Sequence, residues 1–370
     1  MARIGIDCRL WNETGVGRYI RNLVFSLAKI DAKNTYILFV QKREFDTLKL
    51  PGENFEKQLT NIHWHSFKEQ IEFPKIIKNA HVDLMHFPYF SVPVFYTGKF
   101  IVTIHDLILN HFPTGKASTL PLFAYWLKQA AYRYVINFVI KKSQKIIAVS
   151  HATAEEIESH YAIPKEKIVV TYEGFDKNIA PKSTKNIFKS PYFLYVGNAY
   201  PHKNLETLLE AFKQYKEAKK ENVYVYLVGK NDFFWGKIKQ KVTELNLDKN
   251  CIFLESVSDK TLADLYGHAQ ALILPSLMEG FGLPALEAMA QNCLVLASDI
   301  PAFKEVCKDA AVYFNPHSAE SMFQAMQEGI REKEAISEKK KKGLQYAKGF
   351  SWEKMAKETE NIYESCISLR

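Results

Sequence analysis

Ala271-Leu-Ile-Leu-Pro-Ser-Leu-Met-Glu-Gly-Phe-Gly-Leu-Pro-Ala-Leu-Glu287 reads as a strand, a glycine-rich turn and the opening of a helix. The apolar run at 271–274 suits a strand covered on both faces, and Pro284 suits a first helical turn followed by Leu286, Ala288 and Met289. The backbone N–H groups of Phe281, Gly282 and Leu283 then project from a helix N-terminus, where orphan donors and the helix dipole favour a phosphate. Glu279 and Glu287 bound the turn, about 12 Å apart if the interval is helical. That is too far for two carboxylates to flank one bond. They address different parts of one long ligand, or they are water-facing residues of an ordinary capped helix.

The same strand-then-helix grammar runs outward in both directions. In the first half, strand-like runs fall at Arg3–Asp7, Tyr36–Val40, Val82–Phe87, Phe100–Ile104 and Lys145–Val149, with helices such as Arg18–Ile30 and Thr153–Tyr161 between them. In the second half they fall at Tyr192–Val196, Val223–Val228, Cys251–Leu254, Ala271–Leu274, Leu294–Ala297 and Val312–Phe314, with helices opening near Asn204, Asp259, Pro284 and Ser318. A polar stretch with Pro181 between Phe175 and Ser190 reads as a linker. The segment Asn61–Asn79 has no clear pattern. The expected fold is α/β, two doubly wound Rossmann-like domains at 1–178 and 190–350, with a final helix at about 351–370 crossing back to the first. Open sheets of this kind bind ligands beyond the carboxyl ends of their strands, and they would face each other across a cleft.

Composition narrows the class. The chain has 370 residues, 47% hydrophobic, enough for two sizeable cores. The N-terminus runs directly into a strand pattern and no long apolar stretch follows, so a cytoplasmic protein is expected. Five scattered cysteines without C-x-x-C spacing suggest small core residues, not disulfides or zinc ligands. The net charge of +8 is spread along the chain, densest at Lys339 to Lys342, and no nucleic-acid motif accompanies it. Between Leu120 and Lys142 aromatic residues such as Trp126 and Tyr134 alternate with Lys128, Arg133, Lys141 and Lys142. That segment is either a core helix or an interfacial one that contacts the inner face of a membrane peripherally.

Several residues at strand ends carry chemistry. Gly15-Val-Gly-Arg18 follows the first strand, but Ile20 stands where a dinucleotide fingerprint needs its third glycine, so a dehydrogenase is disfavoured while Gly15 and Gly17 still allow close approach to a diphosphate. Gly197-Asn-Ala-Tyr-Pro-His-Lys203 follows another strand and places Lys203 to neutralise a diphosphate leaving group. No Asp-x-Asp pair occurs and His63-x-His65 has no acid cluster beside it, so neither metal nor cofactor is expected. His105 and Asp106 close the strand Ile101-Val-Thr-Ile, where an imidazole could hold a sugar hydroxyl.

Taken in order, Ile4-Gly-Ile-Asp, Gly15-Val-Gly-Arg-Tyr, Val102-Thr-Ile-His-Asp-Leu, Ile147-Ala-Val-Ser-His-Ala-Thr, Tyr195-Val-Gly-Asn-Ala-Tyr-Pro-His-Lys-Asn-Leu and Pro275-Ser-Leu-Met-Glu-Gly-Phe-Gly-Leu-Pro-Ala-Leu-Glu-Ala-Met-Ala resemble the retaining glycosyltransferases of the GT-B fold, family 4, especially bacterial mannosyltransferase-like members. The resemblance covers nearly the whole chain. It implies an acceptor-binding first domain and a donor-binding second one, with a nucleotide diphosphate sugar as donor and a glycan or lipid-linked acceptor in surface-polysaccharide synthesis. By the same resemblance Glu279 would meet the donor sugar, Glu287 the ribose, and the backbone of Gly280, Phe281, Gly282 and Leu283 the phosphates. Lys203 would hold the diphosphate and His105 would sit beside the transferring sugar. One departure stands out: relatives often carry Arg where this chain has Asn198, so a second phosphate cation must come from elsewhere, Arg18 or Lys230 being candidates. The donor expected from the resemblance is GDP-mannose. An epimerase or hydrolase acting on the same donors, and a catalytically silent glycan-binding protein, are the competing readings.

Overall fold

The computed structural model describes residues 1–112, 122–175, 188–189, 191–219, 222–255 and 257–368. Most of the expected linker, with Asp176 and Pro181, lies outside the described residues. The described residues divide into two compact units: those within Met1–Leu107, Ser118–Gly174 and Ser351–Arg370 form the first, and those within Ile108–Ala117 and Phe175–Phe350 the second. The helices in chain order are α1 (Gly15–Ile30), α2 (Lys42–Thr47), α3 (Phe67–Asn79), α4 (Ile108–His111), α5 (Leu122–Lys142), α6 (His151–His160), α7 (Leu205–Lys219), α8 (Phe233–Glu244), α9 (Asp259–His268), α10 (Leu283–Ala290), α11 (Pro301–Cys307), α12 (Ala319–Arg331), α13 (Lys333–Ala347) and α14 (Trp352–Ser368).

The first unit is built on one parallel sheet of β1 (Arg3–Asp7), β2 (Thr35–Val40), β3 (Phe55–Leu59), β4 (Leu84–Phe87), β5 (Phe100–Ile104), β6 (Ile146–Ala148) and β7 (Ile168–Val170). Their order in space is β3-β2-β1-β4-β5-β6-β7, so the winding reverses between β1 and β4. The central strands are buried on both faces, which is why they read as largely apolar runs. Alternate residues such as Phe39, Phe87 and Val102 share one core with Phe73 of α3 and with Tyr132 and Ile136 of α5. On the opposite face α1 and α14 pack side by side. His86 anchors that layer: its Nδ1 lies 2.7 Å from the Tyr363 hydroxyl of α14 and its Nε2 2.8 Å from Thr103 Oγ1. Burial, with a smaller contribution from His105, lowers the His86 pKa to about 3, so the ring is neutral at ordinary pH.

The second unit repeats the plan with β8 (Tyr192–Val196), β9 (Tyr224–Val228), β10 (Cys251–Leu254), β11 (Ala271–Leu274), β12 (Val295–Ser298) and β13 (Ala311–Phe314). These run parallel in the order β10-β9-β8-β11-β12-β13, with the reversal between β8 and β11. Phe193, Leu209, Phe212, Leu227 and Trp235 lie in one core between this sheet and its helices.

Three elements depart from the sequence pattern. The strand β3, Phe-Glu-Lys-Gln-Leu, is polar because it is the sheet's edge, and β7 is only three residues long at the other edge. The unassigned Asn61–Asn79 segment contains α3, whose interior Pro74 hides the helical signal while Ser66 caps its start by accepting from Glu69 N at 3.2 Å. All five cysteines are buried, and none is in a disulfide. No helix among the described residues is long and apolar enough to cross a membrane.

The chain leaves the first unit after Gly174 and re-enters at Ser351, and the two passages touch. A Cβ on Gly174 would lie 2.2 Å from Trp352 N and 2.5 Å from the Ser351 carbonyl carbon, so only glycine fits.

Candidate functional site

The second unit gathers the residues expected at the donor site. At the end of β8 the chain turns through Gly197 and Asn198 into a short 3-10 turn, Pro201–Lys203, that stops at Asn204 in the left-handed conformation (φ 59°). Asn204 Nδ2 donates to Pro275 O at 3.0 Å and to Pro316 O at 2.7 Å, and Leu277 N donates to His202 O at 2.8 Å. The bonds to Pro275 and from Leu277 strap the turn after β8 to the loop after β11, its neighbour in the sheet, and the bond to Pro316 ties it to the loop after β13. The strap brings Lys203 and Glu279, 76 positions apart in sequence, into an ion pair of 2.6 Å. Ser276 Oγ donates to the same carboxylate oxygen at 2.7 Å. Both paired side chains keep 16% of their surface exposed.

Electrostatics favour the charged pair. Burial raises the Glu279 pKa, but the charge and hydrogen bond of Lys203, with the Ser276 hydroxyl, outweigh it and leave the pKa below the usual carboxylate range. The neighbouring His202 is held at about 4 by burial and then by the Lys203 charge, so that imidazole adds no positive charge at neutral pH.

The glycine-rich turn that follows opens α10 as its sequence suggests. Gly282 is the N-cap, at φ +99°, with the Phe303 ring 2.7 Å from where a Cβ would sit, and Pro284 lies in the first turn. A glycine caps without a side chain, so the positive end of the helix dipole is presented close beside Glu279. Phe281 is buried, its ring 5.7 Å from that of Phe350, which leaves its backbone as the part a ligand could use. Gly280 and Leu283 flank it in the same turn. Glu287 is 2% exposed and accepts from the Tyr266 hydroxyl at 2.9 Å. Asn198 is occupied locally: Oδ1 accepts from Tyr200 N at 3.3 Å and its carbonyl from the Tyr195 hydroxyl at 2.5 Å. Of the two candidate replacement cations, Lys230 is exposed just beyond β9, the strand beside β8, whereas Arg18 belongs to the first unit.

The first unit holds the remaining expected residues. Gly15 and Gly17 lie within the first turn of α1, and both have ordinary negative φ. They are part of the helix, not of a turn ahead of it. His105 follows β5 with both ring nitrogens engaged, Nδ1 3.1 Å from Glu173 Oε1 and Nε2 3.0 Å from Pro88 O, while Tyr19 meets its ring edge-on at 5.0 Å. A sugar hydroxyl at this imidazole would have to replace one of those acceptors.

One group escapes a reading of the sequence. Arg9, 1% exposed at its side chain, donates from Nε to Asp7 at 2.9 Å and from Nη2 to Asp7 at 2.7 Å and to Glu69 at 2.6 Å. Its guanidinium lies 4.1 Å from the Phe73 ring centroid, and Ser91 Oγ donates to Glu69 at 2.8 Å. Asp-x-Arg directly after β1 is the one local signal; Glu69 is too distant in sequence to read with it.

Comparison with known proteins adds the class. The family described as "Glycosyltransferase Family 4" matches residues 14–178, and "Glycosyl transferases group 1" matches residues 176–349. The O-antigen chain mannosyltransferase RfbU of Salmonella typhimurium is 28% identical over 76% of this chain and 74% of its own length. Among solved structures, sucrose-phosphate synthase of Thermosynechococcus elongatus superposes over all of both chains with a TM-score of 0.82 at 18% identity. HepE of Anabaena, solved in complex with UDP-glucose, does so over 99% of this chain and 100% of its own with a TM-score of 0.77 at 15% identity. With one sheet in each family's matched region and structural neighbours of the GT-B type, the chain belongs to the group 1, family 4 glycosyltransferases.

Proposed function

We propose that the protein is a retaining hexosyltransferase of surface-polysaccharide synthesis, moving a sugar from a nucleotide diphosphate to a hydroxyl of a glycan or lipid-linked acceptor. The observation that carries this reading is the Lys203–Glu279 pair, 2.6 Å apart, at the strand reversal of the second unit and beside the N-terminus of α10. A nucleotide diphosphate sugar presents a phosphate and a polyhydroxylated ring on either side of the bond to be broken. A lysine for the first and a carboxylate for the second therefore have to lie next to one another.

In the proposed reaction the bond from the anomeric carbon to the phosphate oxygen breaks and a bond to the acceptor oxygen forms on the same face. The departing phosphate oxygen takes the acceptor proton. Lys203 and the α10 dipole stabilise the charge that accumulates on the diphosphate, an interaction stronger in the transition state than before it. Lys230 is proposed as the second cation in place of the arginine missing at Asn198. We assign charge neutralisation to these protein groups and not to a metal. In the first unit, His105 is proposed to turn its Nε2–H from the Pro88 carbonyl to a sugar hydroxyl. Mannose is the sugar that the likeness to the mannosyltransferase RfbU favours, and GDP is the proposed carrier from the family resemblance.

A thermal-shift panel of GDP-, UDP- and ADP-sugars tests donor binding, and the GDP-sugar is expected to raise the melting temperature most. Transfer to a saccharide acceptor, followed by proton NMR of the new anomeric centre, tests the reaction and its stereochemistry. If no nucleotide sugar shifts the melting temperature, the assignment fails. Rapid donor turnover without an acceptor would make the protein a hydrolase or epimerase instead.

A further inference from the structure

The helix α5 is apolar on two sides. Its inner side, with Tyr132, Ile136 and Val139, fills the core of the first unit. On its outer side Trp126, Leu127 and Tyr134 are 57%, 63% and 66% exposed, Leu127 and Tyr134 standing two turns apart on one stripe. The helix α3, packed in the same core on the same face of the sheet, exposes Phe67 (79%) and Ile71 (41%) one turn apart. Phe95, 63% exposed, joins them, because Val94 N donates to Gln70 Oε1 of α3 at 2.8 Å. The loop between β4 and β5 links the two helices: Ser91 bonds Glu69 of α3 at 2.8 Å, and the ring of Phe90 meets Tyr132 of α5 at 5.1 Å. Six of the thirteen large exposed apolar side chains among the described residues thus lie on this one side of the first unit.

Exposed charge on the same two helices is predominantly positive. They expose seven cations, among them Lys68, Lys128 and Arg133, against one carboxylate, Glu72. We propose that this face of the first unit docks on an anionic lipid bilayer, with α5 and α3 lying in the interface. Trp126 and Tyr134 have rings that settle at headgroup depth, Leu127, Phe67 and Phe95 reach the acyl boundary, and the cations meet lipid phosphates. A second copy of the chain fits this face poorly, since association through it would bring seven cations against seven. Charge therefore selects the bilayer.

The proposal rests on surface chemistry alone, and its test reads no sugar transfer. Full-length protein is floated with phosphatidylcholine vesicles and with vesicles containing phosphatidylglycerol as well. Binding is expected on the mixed vesicles, with little on the neutral ones. It should weaken as salt rises from about 0.1 M to about 1 M, which shortens the screening length from about 10 Å to about 3 Å. The triple variant W126A/L127A/Y134A should bind about tenfold less while keeping the parent melting temperature and the parent response to nucleotide sugars. The inference is overturned if the parent ignores mixed vesicles, or if the triple variant binds as the parent does. A parent dimer by light scattering that the same substitutions dissolve would equally overturn it, by making the face a contact between copies. Failure of the nucleotide-sugar panel with vesicle binding intact would sink the functional reading and leave this one standing.

Discussion

At the strand reversal of the first sheet, Arg9 follows β1; at that of the second, Lys203 follows β8. Each cation meets a carboxylate from a distant segment, Glu69 in the first case and Glu279 in the second, and Arg9 also pairs with Asp7 at the end of its own strand. Arg9 has two acidic partners, an aromatic ring against its guanidinium and 1% of its side chain in solvent. Lys203 has one acidic partner and 16%. Desolvating a guanidinium this thoroughly is tolerable only because two carboxylates match its charge; Nη1, which has no hydrogen-bond partner, is itself buried away from solvent. The looser pair has three lysine donors and one carboxylate to redistribute when a diphosphate sugar arrives. Identical topology therefore carries a sealed reversal point in one unit and an open one in the other.

The largest effect should come from breaking the sealed point. Arg9→Met strands the buried Glu69 and the partly buried Asp7 and is expected to cost about 3–5 kcal/mol in urea denaturation; a loss under about 1 kcal/mol would show that the network is not structural. At the open point, Lys203→Ala should reduce kcat/KM by about two to three orders of magnitude, with the melting temperature close to the parent value. Near-normal transfer by that variant would remove Lys203 from the reaction, and a collapse of stability would make its pair with Glu279 resemble that of Arg9.

Acid distinguishes the units by a third route. His86 is fully buried with a pKa lowered to about 3, so the unfolded chain takes up a proton near pH 6.5 that the folded one refuses. Stability from this group is complete above about pH 6.5 and is lost as pH falls toward 3, at about 1.4 kcal/mol per pH unit. His202, held at about 4, adds to the slope. Glu279, its pKa lowered chiefly by Lys203, keeps its charge to lower pH than an ordinary glutamate does. A melting temperature that is flat between pH 7 and pH 4 would contradict a neutral His86, as would urea midpoints that do not move over the same range. The smallest effect is expected from Gly282→Ala, which forces a Cβ into a left-handed position against Phe303 and should cost about 1–2 kcal/mol. If donor affinity falls while stability does not, the turn is shaped for a ligand and not for the fold.

Legibility in the sequence followed burial. Central strands such as β5, β8 and β11 match their largely apolar runs because parallel strands covered on both faces admit little else. Edge strands escape that constraint, as β3 shows with Glu56, Lys57 and Gln58 in succession. The candidate site residues could be picked out singly, since Lys203, Glu279 and His105 all follow strands. Their partners were not. Lys203 meets Glu279 across 76 positions, His105 meets Glu173 across 68, and Arg9 meets Glu69 across 60. Such pairings are set by strand order in space, which no local pattern encodes.

Gly174 and Trp352 carry a consequence for how the chain could be cut. Because the exit from the first unit and the return to it lie backbone against backbone, the stretch between them enters and leaves through one doorway, as a guest segment does. Excising it and joining residue 174 to residue 351 through a bridge of about three glycines should therefore close the host chain without stretching it. The host would retain β1 to β7 and α14, with the Tyr363–His86 bond still holding the terminal helix in place.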